Sequence, residues 1–337
     1  MNVLHVLCDL SGGGAERLVL DLCRYSTVDA SVVTIHAGGA LAEEFAAAGV
    51  TVRCAGRVRG RLGLRAVRKL SQWAAHADVV HTHLWAGDTW GRPSAWLGGC
   101  PRVVTTEHNT QADSTLRRHI WTVMAPLSAR IVCVSQAAAQ TVAASGVSKR
   151  RLSVIENGID LSRFSSAPST GKGILSVGRL THQKGFDVLL HALRSIPTPT
   201  TILGEGEDRA ALERLADGLP VRLPGWIADT HAALSAAAIM VIPSRWEGFG
   251  LVAVEAMAAG VPVIASRVDG LIEVVGDAGI LVEPEDASAL ADAIRRLLGD
   301  AGLRAELIRR GLARAPRFSI QKTVGRYEAL YRSLLSR

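Results

Sequence analysis

Short aliphatic, β-branched runs alternate with amphipathic stretches from one end of this 337-residue chain to the other. In the first half the strand-like runs are 2–8, 31–36, 50–54, 78–82, 102–107 and 130–134, with helical patterns such as 15–25 between them. In the second half they are 173–177, 200–203, 221–223, 238–242, 261–265 and 280–282. Alternating β and α with short connections predicts parallel strands joined by helical crossovers, a doubly wound α/β sheet. Aromatic residues make up only 4% of the chain, and Ala and Val supply much of the apolar content, which suits thin, closely packed layers.

The rhythm pauses over 165–173, where small residues, Pro168, Gly171 and Gly173 read as a linker. The expectation is two Rossmann-like domains, 1–165 and 173–317, a linker 166–172, and a tail helix 318–337 packing back toward the N-terminal domain. The length agrees, at roughly 100–200 residues per domain. Open α/β sheets take ligands outside the carboxyl ends of their strands. Two such sheets facing a central cleft would place the chemistry in the loops that follow strands.

No apolar run reaches the ~18 residues of a membrane helix, because Pro243 and Glu255 break the longest candidates. The N-terminus has no basic lead and starts directly as a strand, so a cytoplasmic, soluble chain without signal peptide is expected. Five cysteines without a C-x-x-C pair read as free thiols in a reducing compartment. The net charge is +7, and no acidic residue lies between Glu44 and Asp78. Arg53, Arg57, Arg59, Arg61, Arg65, Arg68 and Lys69 fill that gap, and such a cluster attracts phosphates. Leu62, Ala66, Leu70 and Trp73 recur there at helical spacing. Either this stripe packs on the sheet and the cations are solvated, or the segment meets an anionic acceptor or an anionic membrane surface.

The densest chemistry follows the run at 238–242. Glu247, Gly248, Phe249 and Gly250 form a loop, the next nine residues from Leu251 are helix formers, and Gly260 fits a helix end. A helix N-terminus after two glycines is an anion site suited to a diphosphate. Glu247 precedes those donors, and Glu255 points back toward them, since helical side chains tilt N-terminally. Two carboxylates beside a phosphate site make sense if the ligand also offers hydroxyls, as a nucleotide sugar does. The alternative is a surface Glu and an ordinary helix Glu.

The string from Glu247 to Val263 resembles the signature of the group 1 retaining glycosyltransferases, glycosyltransferase family 4, whose fold is GT-B. Their hallmark is two glutamates separated by seven residues within E-G-F-G-L…E-A-M-A-x-G-x-P-V, and Glu247 and Glu255 match it. Gly178-Arg179-Leu180 with Lys184-Gly185 resembles the family's G-R-L…K-G motif, whose basic pair holds the donor phosphates. Gly204 and Gly206 match its G-x-G turn, and Trp226 and Ile227 fall in the segment whose backbone contacts the base. Asn157-Gly158-Ile159-Asp160 resembles the turn leading into the linker. Gly270 and Glu273 fit a G-G-x-x-E loop, with Asp269 where a Gly is usual. In the first domain Gly12-Gly13-Gly14 resembles the loop that approaches the donor phosphate and the acceptor, and His108 stands where the family places a His on the transferred sugar. His83 is a further acceptor-side candidate, although a lone His is more often packed or solvated.

The resemblance implies retaining transfer of a hexose-type sugar from a nucleoside diphosphate, uridine being preferred to guanosine as the commoner base. The acceptor, small or lipid-linked, is not identified. Glu247, His108, Arg179 and Lys184 would be catalytic. Gly14, Gly248, Phe249, Gly250, Leu251 and Glu255 would join them in holding the donor. No metal and no other cofactor is expected, because the basic pair stabilises the leaving diphosphate, and neither an Asp-x-Asp nor a His/Cys cluster with ligand spacing occurs. A dehydrogenase fits poorly, since Arg17 replaces the third glycine of its fingerprint and no acid follows the second strand at His36. A GT-B sugar-nucleotide epimerase is the closer rival. A non-enzymatic nucleotide or nucleic-acid binder is the third reading, and the basic segment fits it, but that segment lacks the interleaved aromatics that stack bases.

Overall fold

The computed structural model describes residues 1–56, 63–109, 115–164, 171–227 and 229–336. Residues 165–170, and with them most of the expected linker, lie outside that set, as do Arg57, Arg59, Arg61 and Leu62. The chain forms two compact units, Met1–Gly158 with Ile320–Arg337, and Ile159–Ser319.

The first unit is built on β1 (Asn2–Leu7), β2 (Asp29–Thr34), β3 (Thr51–Cys54), β4 (Val79–His83), β5 (Val103–Glu107), β6 (Arg130–Cys133) and β7 (Leu152–Val154). All pair in parallel, in the order β3-β2-β1-β4-β5-β6-β7. Six of these strands follow the runs legible in the sequence. β7 does not, because three half-buried residues at a sheet edge carry no pattern. Side chains alternate between faces with period two. Val3, Val79, Val104 and Val132 pack under Leu18 and Leu22 of helix Gly14–Tyr25 and under Ile320, Val324, Tyr327, Tyr331 and Leu334 of helix Ile320–Leu335. Leu4, Val6, Val80 and Val103 face the other layer, made by helices Leu64–Ala74 and Leu84–Leu97.

In helix Leu64–Ala74 the apolar stripe packs on the sheet: Ala66, Leu70 and Ala74 join that core and Trp73 lies against it. Arg53, Arg65, Arg68 and Lys69 are exposed, and the Arg53 guanidinium sits 6.0 Å from the Trp73 ring centre. Among the described residues no helix is long and apolar enough to cross a membrane. The five cysteines carry free thiols.

The second unit is built on β8 (Ile174–Val177), β9 (Thr200–Leu203), β10 (Val221–Gly225), β11 (Ile239–Ile242), β12 (Val263–Ser266) and β13 (Gly279–Val282), parallel in the order β10-β9-β8-β11-β12-β13. Its strands bury Ile174, Ile239, Val241 and Ile264 against Leu189 and Leu193 of helix Phe186–Leu193 and Leu290, Ile294 and Leu297 of helix Ala287–Gly299. In each sheet the strand order reverses once, at β1/β4 and at β8/β11. A crevice opens at such a point, outside the carboxyl ends of the strands.

Candidate active site

In the second unit the loops after β8 and β11 flank the reversal and are bolted together. Gly185 has φ 64°, and a Cβ there would stand 2.1 Å from the Pro243 carbonyl oxygen, so only glycine allows this approach. The Arg245 amide donates to the Gln183 carbonyl at 2.8 Å, and Gln183 Nε2 donates to the Trp246 carbonyl at 3.1 Å. The Arg245 guanidinium donates to both Asp187 oxygens (2.9 and 2.7 Å), to the His182 carbonyl and to Glu285. That fork holds the Asp187 carboxyl below its usual range.

The clamp brings Lys184 and Glu247 together: Nζ donates to Oε2 at 2.6 Å, and Ser244 Oγ donates to the same oxygen at 3.2 Å. Arg179, the other member of the basic pair, is exposed and pairs with no acid among the described residues. Gly248, Phe249 and Gly250 are buried, and Gly250 (φ 94°) caps helix Leu251–Ala258. From the far side the Gly270 amide donates to the Glu247 carbonyl at 3.2 Å, and a Cβ on Gly270 would stand 2.5 Å from the Gly248 carbonyl carbon. Asp269 opens helix Asp269–Val275, so the stretch matched to the G-G-x-x-E loop is a helix start here. Glu255 is half-buried and accepts from Thr230 Oγ1 at 3.4 Å.

The neighbouring loops join the same edge. Gly178, Leu180 and Gly204 donate backbone bonds to Leu203, Glu205 and Gly225, which ties the ends of β8, β9 and β10 together. Gly204 adopts φ 143°, and a Cβ there would stand 1.9 Å from the Gly178 carbonyl oxygen. Gly206 is exposed beyond it, as is Trp226, with Ile227 half-buried. Thus all the C-terminal candidates are fixed by backbone or side-chain bonds or lie next to residues that are, Arg179 through its carbonyl, which accepts from the Thr181 amide at 2.9 Å.

In the first unit Gly13 caps helix Gly14–Tyr25, and Gly14 is exposed at its start. His83 is fully buried, with ring nitrogens 3.1 Å from His5 Nδ1 and 3.3 Å from His108 Nε2, so no face of it is open to an acceptor. His108 is half-buried just past β5. His81 places Nδ1 2.7 Å from the Tyr331 hydroxyl and Nε2 2.7 Å from Thr106 Oγ1. The expectation of no histidine cluster is therefore corrected: parallel pairing sets His5 opposite His81, and alternation puts His83 on the same face. The ligand atoms of His5, His81 and His83 lie within 4.8 Å of one another. An ion there would have to displace a partner of His81, and three neutral rings would leave its double charge buried without an anion. Burial pushes His5 down to about 3 and His108 to about 4, and His81 and His83 well below the usual range. On the opposite face Asp88 pairs with the buried Arg92 at 3.3 Å, while burial raises the nearby Glu107 carboxyl to about 7.

Residues 12–163 match the glycosyltransferase family 4 model, and residues 171–300 match that of the group 1 glycosyl transferases. A D-inositol 3-phosphate glycosyltransferase of Acidothermus cellulolyticus is 31% identical over 307 residues, which cover 77% of this chain and 68% of that one. This chain belongs to glycosyltransferase family 4.

A glycogen synthase of Mycobacterium tuberculosis is 34% identical to this glycosyltransferase over 270 residues, covering 71% of the chain and 64% of the relative. The chain thus spans about two thirds of the length of these curated relatives. The fold is that of GT-B glycosyltransferases: Anabaena HepE, solved in complex with UDP-glucose, superposes with a TM-score of 0.88 at 23% identity over 98% of this chain and 99% of that one. Within the glycosyltransferase the contiguous motif at 247–263 was legible as a string. Arg245 and Asp187, which help hold that string in place, were not, because nothing in their spacing marks an ion pair; Gly270 was read as part of a loop motif, but its close approach to Gly248 was not legible.

Proposed function

We propose that this glycosyltransferase transfers a hexose-type sugar, with retention and without a metal, from a uridine diphosphate donor to an acceptor bound by the first unit. The observation that carries the donor site is the Lys184–Glu247 contact beside the N-terminus of helix Leu251–Ala258. It sets a cation, a carboxylate and helix-end amides together where a diphosphate joined to a sugar needs them. Arg179 and Lys184 would neutralise the departing diphosphate, and Lys184 would exchange Glu247 for phosphate oxygen. Glu247 and His108 would then orient the sugar, and Glu255 would accept from the ribose hydroxyls. Gly13 and Gly14 are assigned to the phosphate and acceptor side. In front-face substitution the acceptor oxygen bonds the anomeric carbon as the bond to the diphosphate breaks, and a leaving phosphate oxygen takes the acceptor proton. Uridine is supported by HepE, which was solved with UDP and glucose.

The exposed Arg53, Arg65, Arg68 and Lys69 would attract an anionic acceptor or the anionic inner face of a membrane by charge alone, since the apolar stripe beneath them is already packed. Mixing the protein with UDP-hexoses and candidate acceptors, with and without excess EDTA, tests the reading. Acceptor-dependent release of UDP at equal rates in both samples is the expected result. Loss in EDTA restored by Mg²⁺ or Mn²⁺ would remove metal independence, and conversion of the donor without acceptor would favour an epimerase.

A further inference from the structure

Three imidazoles of the first unit form one chain: His108 Nε2 meets His83 Nδ1 at 3.3 Å, and His83 Nε2 meets His5 Nδ1 at 3.1 Å. A neutral imidazole carries one N–H and one lone pair, so each contact is a hydrogen bond only if one ring donates and the other accepts. Two arrangements satisfy both contacts. If His108 donates from Nε2, His83 accepts at Nδ1 and must donate from Nε2 to His5 Nδ1. If His5 donates from Nδ1, His83 must donate from Nδ1 to His108 Nε2. In the first case every ring is protonated at Nε2, in the second every ring at Nδ1. His81 stays outside the chain because Tyr331 and Thr106 occupy both its nitrogens, yet its ring lies 3.9 Å from that of His83, centre to centre, and packs it in place. The strand passes into helix Leu84–Leu97 directly after His83, through Leu84 at φ 62°, which leaves the histidine no slack. His108 Nδ1 takes no partner among the described residues.

We propose that His5, His83 and His108 share a single tautomer, and that His83 and His5 thereby decide whether His108 offers its ligand a hydrogen-bond donor or an acceptor. The inference rests on the assignment of His108 to the transferred sugar. His83 and His5 are positioning residues here, acting only through His108. With the chain in the Nε2–H form, His108 Nδ1 accepts from a sugar hydroxyl. In the Nδ1–H form it donates to a sugar oxygen.

Long-range ¹H–¹⁵N spectra of the ¹⁵N-labelled protein read the protonated nitrogen of each ring. All three rings should report the same nitrogen, and a mixed set overturns the proposal. Uptake of one equivalent of Co²⁺ with visible ligand-field bands, lost in His83→Phe, would also overturn it, because the cluster would then be a metal site. The second arm compares His83→Phe with His83→Asn, whose amide stands near the Nδ1 position. His83→Phe should let His108 populate both tautomers and lower kcat about tenfold, the scale of one lost hydrogen bond, with little change in donor KM. His83→Asn should recover most of that kcat despite its smaller volume and a lower Tm. A role in packing alone predicts the reverse order, and that result would end the positioning assignment. If the wild type transfers no sugar, the functional reading falls, and the spectra still decide the shared tautomer.

Discussion

Glu247 and Glu255 carry the same charge eight positions apart, but their surroundings differ. Glu247 is held by Lys184 and Ser244, Glu255 by Thr230. Glu255→Ala should therefore weaken UDP binding, because a ribose contact is lost. The loss of a charged hydrogen bond costs roughly 1.5–3 kcal/mol, about 10- to 150-fold. Glu247→Ala should impair transfer yet leave UDP affinity unchanged or slightly tighter, because Lys184 is released toward the diphosphate. Titration calorimetry with UDP on both variants checks this, and equal losses of affinity would refute the division of roles. Both glutamates were legible in the sequence because their motif is contiguous and its chemistry is local. The histidine chain was not, since His5, His83 and His108 meet only through strand register. His83, read from the sequence as a contact to the acceptor, is buried with both nitrogens engaged.

Among elements, alternation of β and α was enough to place twelve of the strands near their observed positions, with boundaries displaced by a residue or two. Loop geometry was not legible, because it depends on close approaches such as Gly185 to Pro243 and Gly270 to Gly248. The clamp of Arg245 across these loops gives a prediction at this scale. Arg245→Ala should cost about 1–2 kcal/mol of stability, a modest value because Glu285 faces solvent and Asp187 is only half-buried. It should also weaken UDP binding without touching the ligand, since Lys184 and Glu247 lose their common register. Urea denaturation and UDP titration measure the two effects, and unchanged UDP affinity would limit Arg245 to a structural part. Helix Leu64–Ala74 gives a second. Its cations should bind anionic vesicles at low salt and release them as surface charge is screened near 0.5 M. Replacing Arg65, Arg68 and Lys69 with Gln should abolish that binding and leave UDP affinity intact. No sedimentation of the wild type with anionic vesicles would discard the membrane reading of this surface.

For the whole molecule, the buried histidines set a pH limit. Their folded values lie far below the usual 6.5, His5 near 3 and His108 near 4, so only the unfolded chain takes up these protons as pH falls. Stability from the four rings is complete above about 6.5 and lost below it, by as much as about 1.4 kcal/mol per pH unit for each ring. Glu107, raised to about 7 from an ordinary 4.5, acts in the opposite sense between those values, as does the buried Asp88 carboxyl, also raised, but as two groups against four. Tm should therefore drop steeply from pH 6.5 to pH 5, and a flat profile would contradict the burial of the cluster. The same face of the sheet is closed by the last helix. The chain leaves the first unit at Gly158 and returns to it at Ile320. During synthesis the second unit can fold as soon as its own residues have emerged. The first must wait for Tyr327 and Tyr331, which seal Thr106 and His81. Until they arrive, the β1, β4 and β5 surface stays open on the ribosome, so the half of the enzyme that is made first is the half that is finished last.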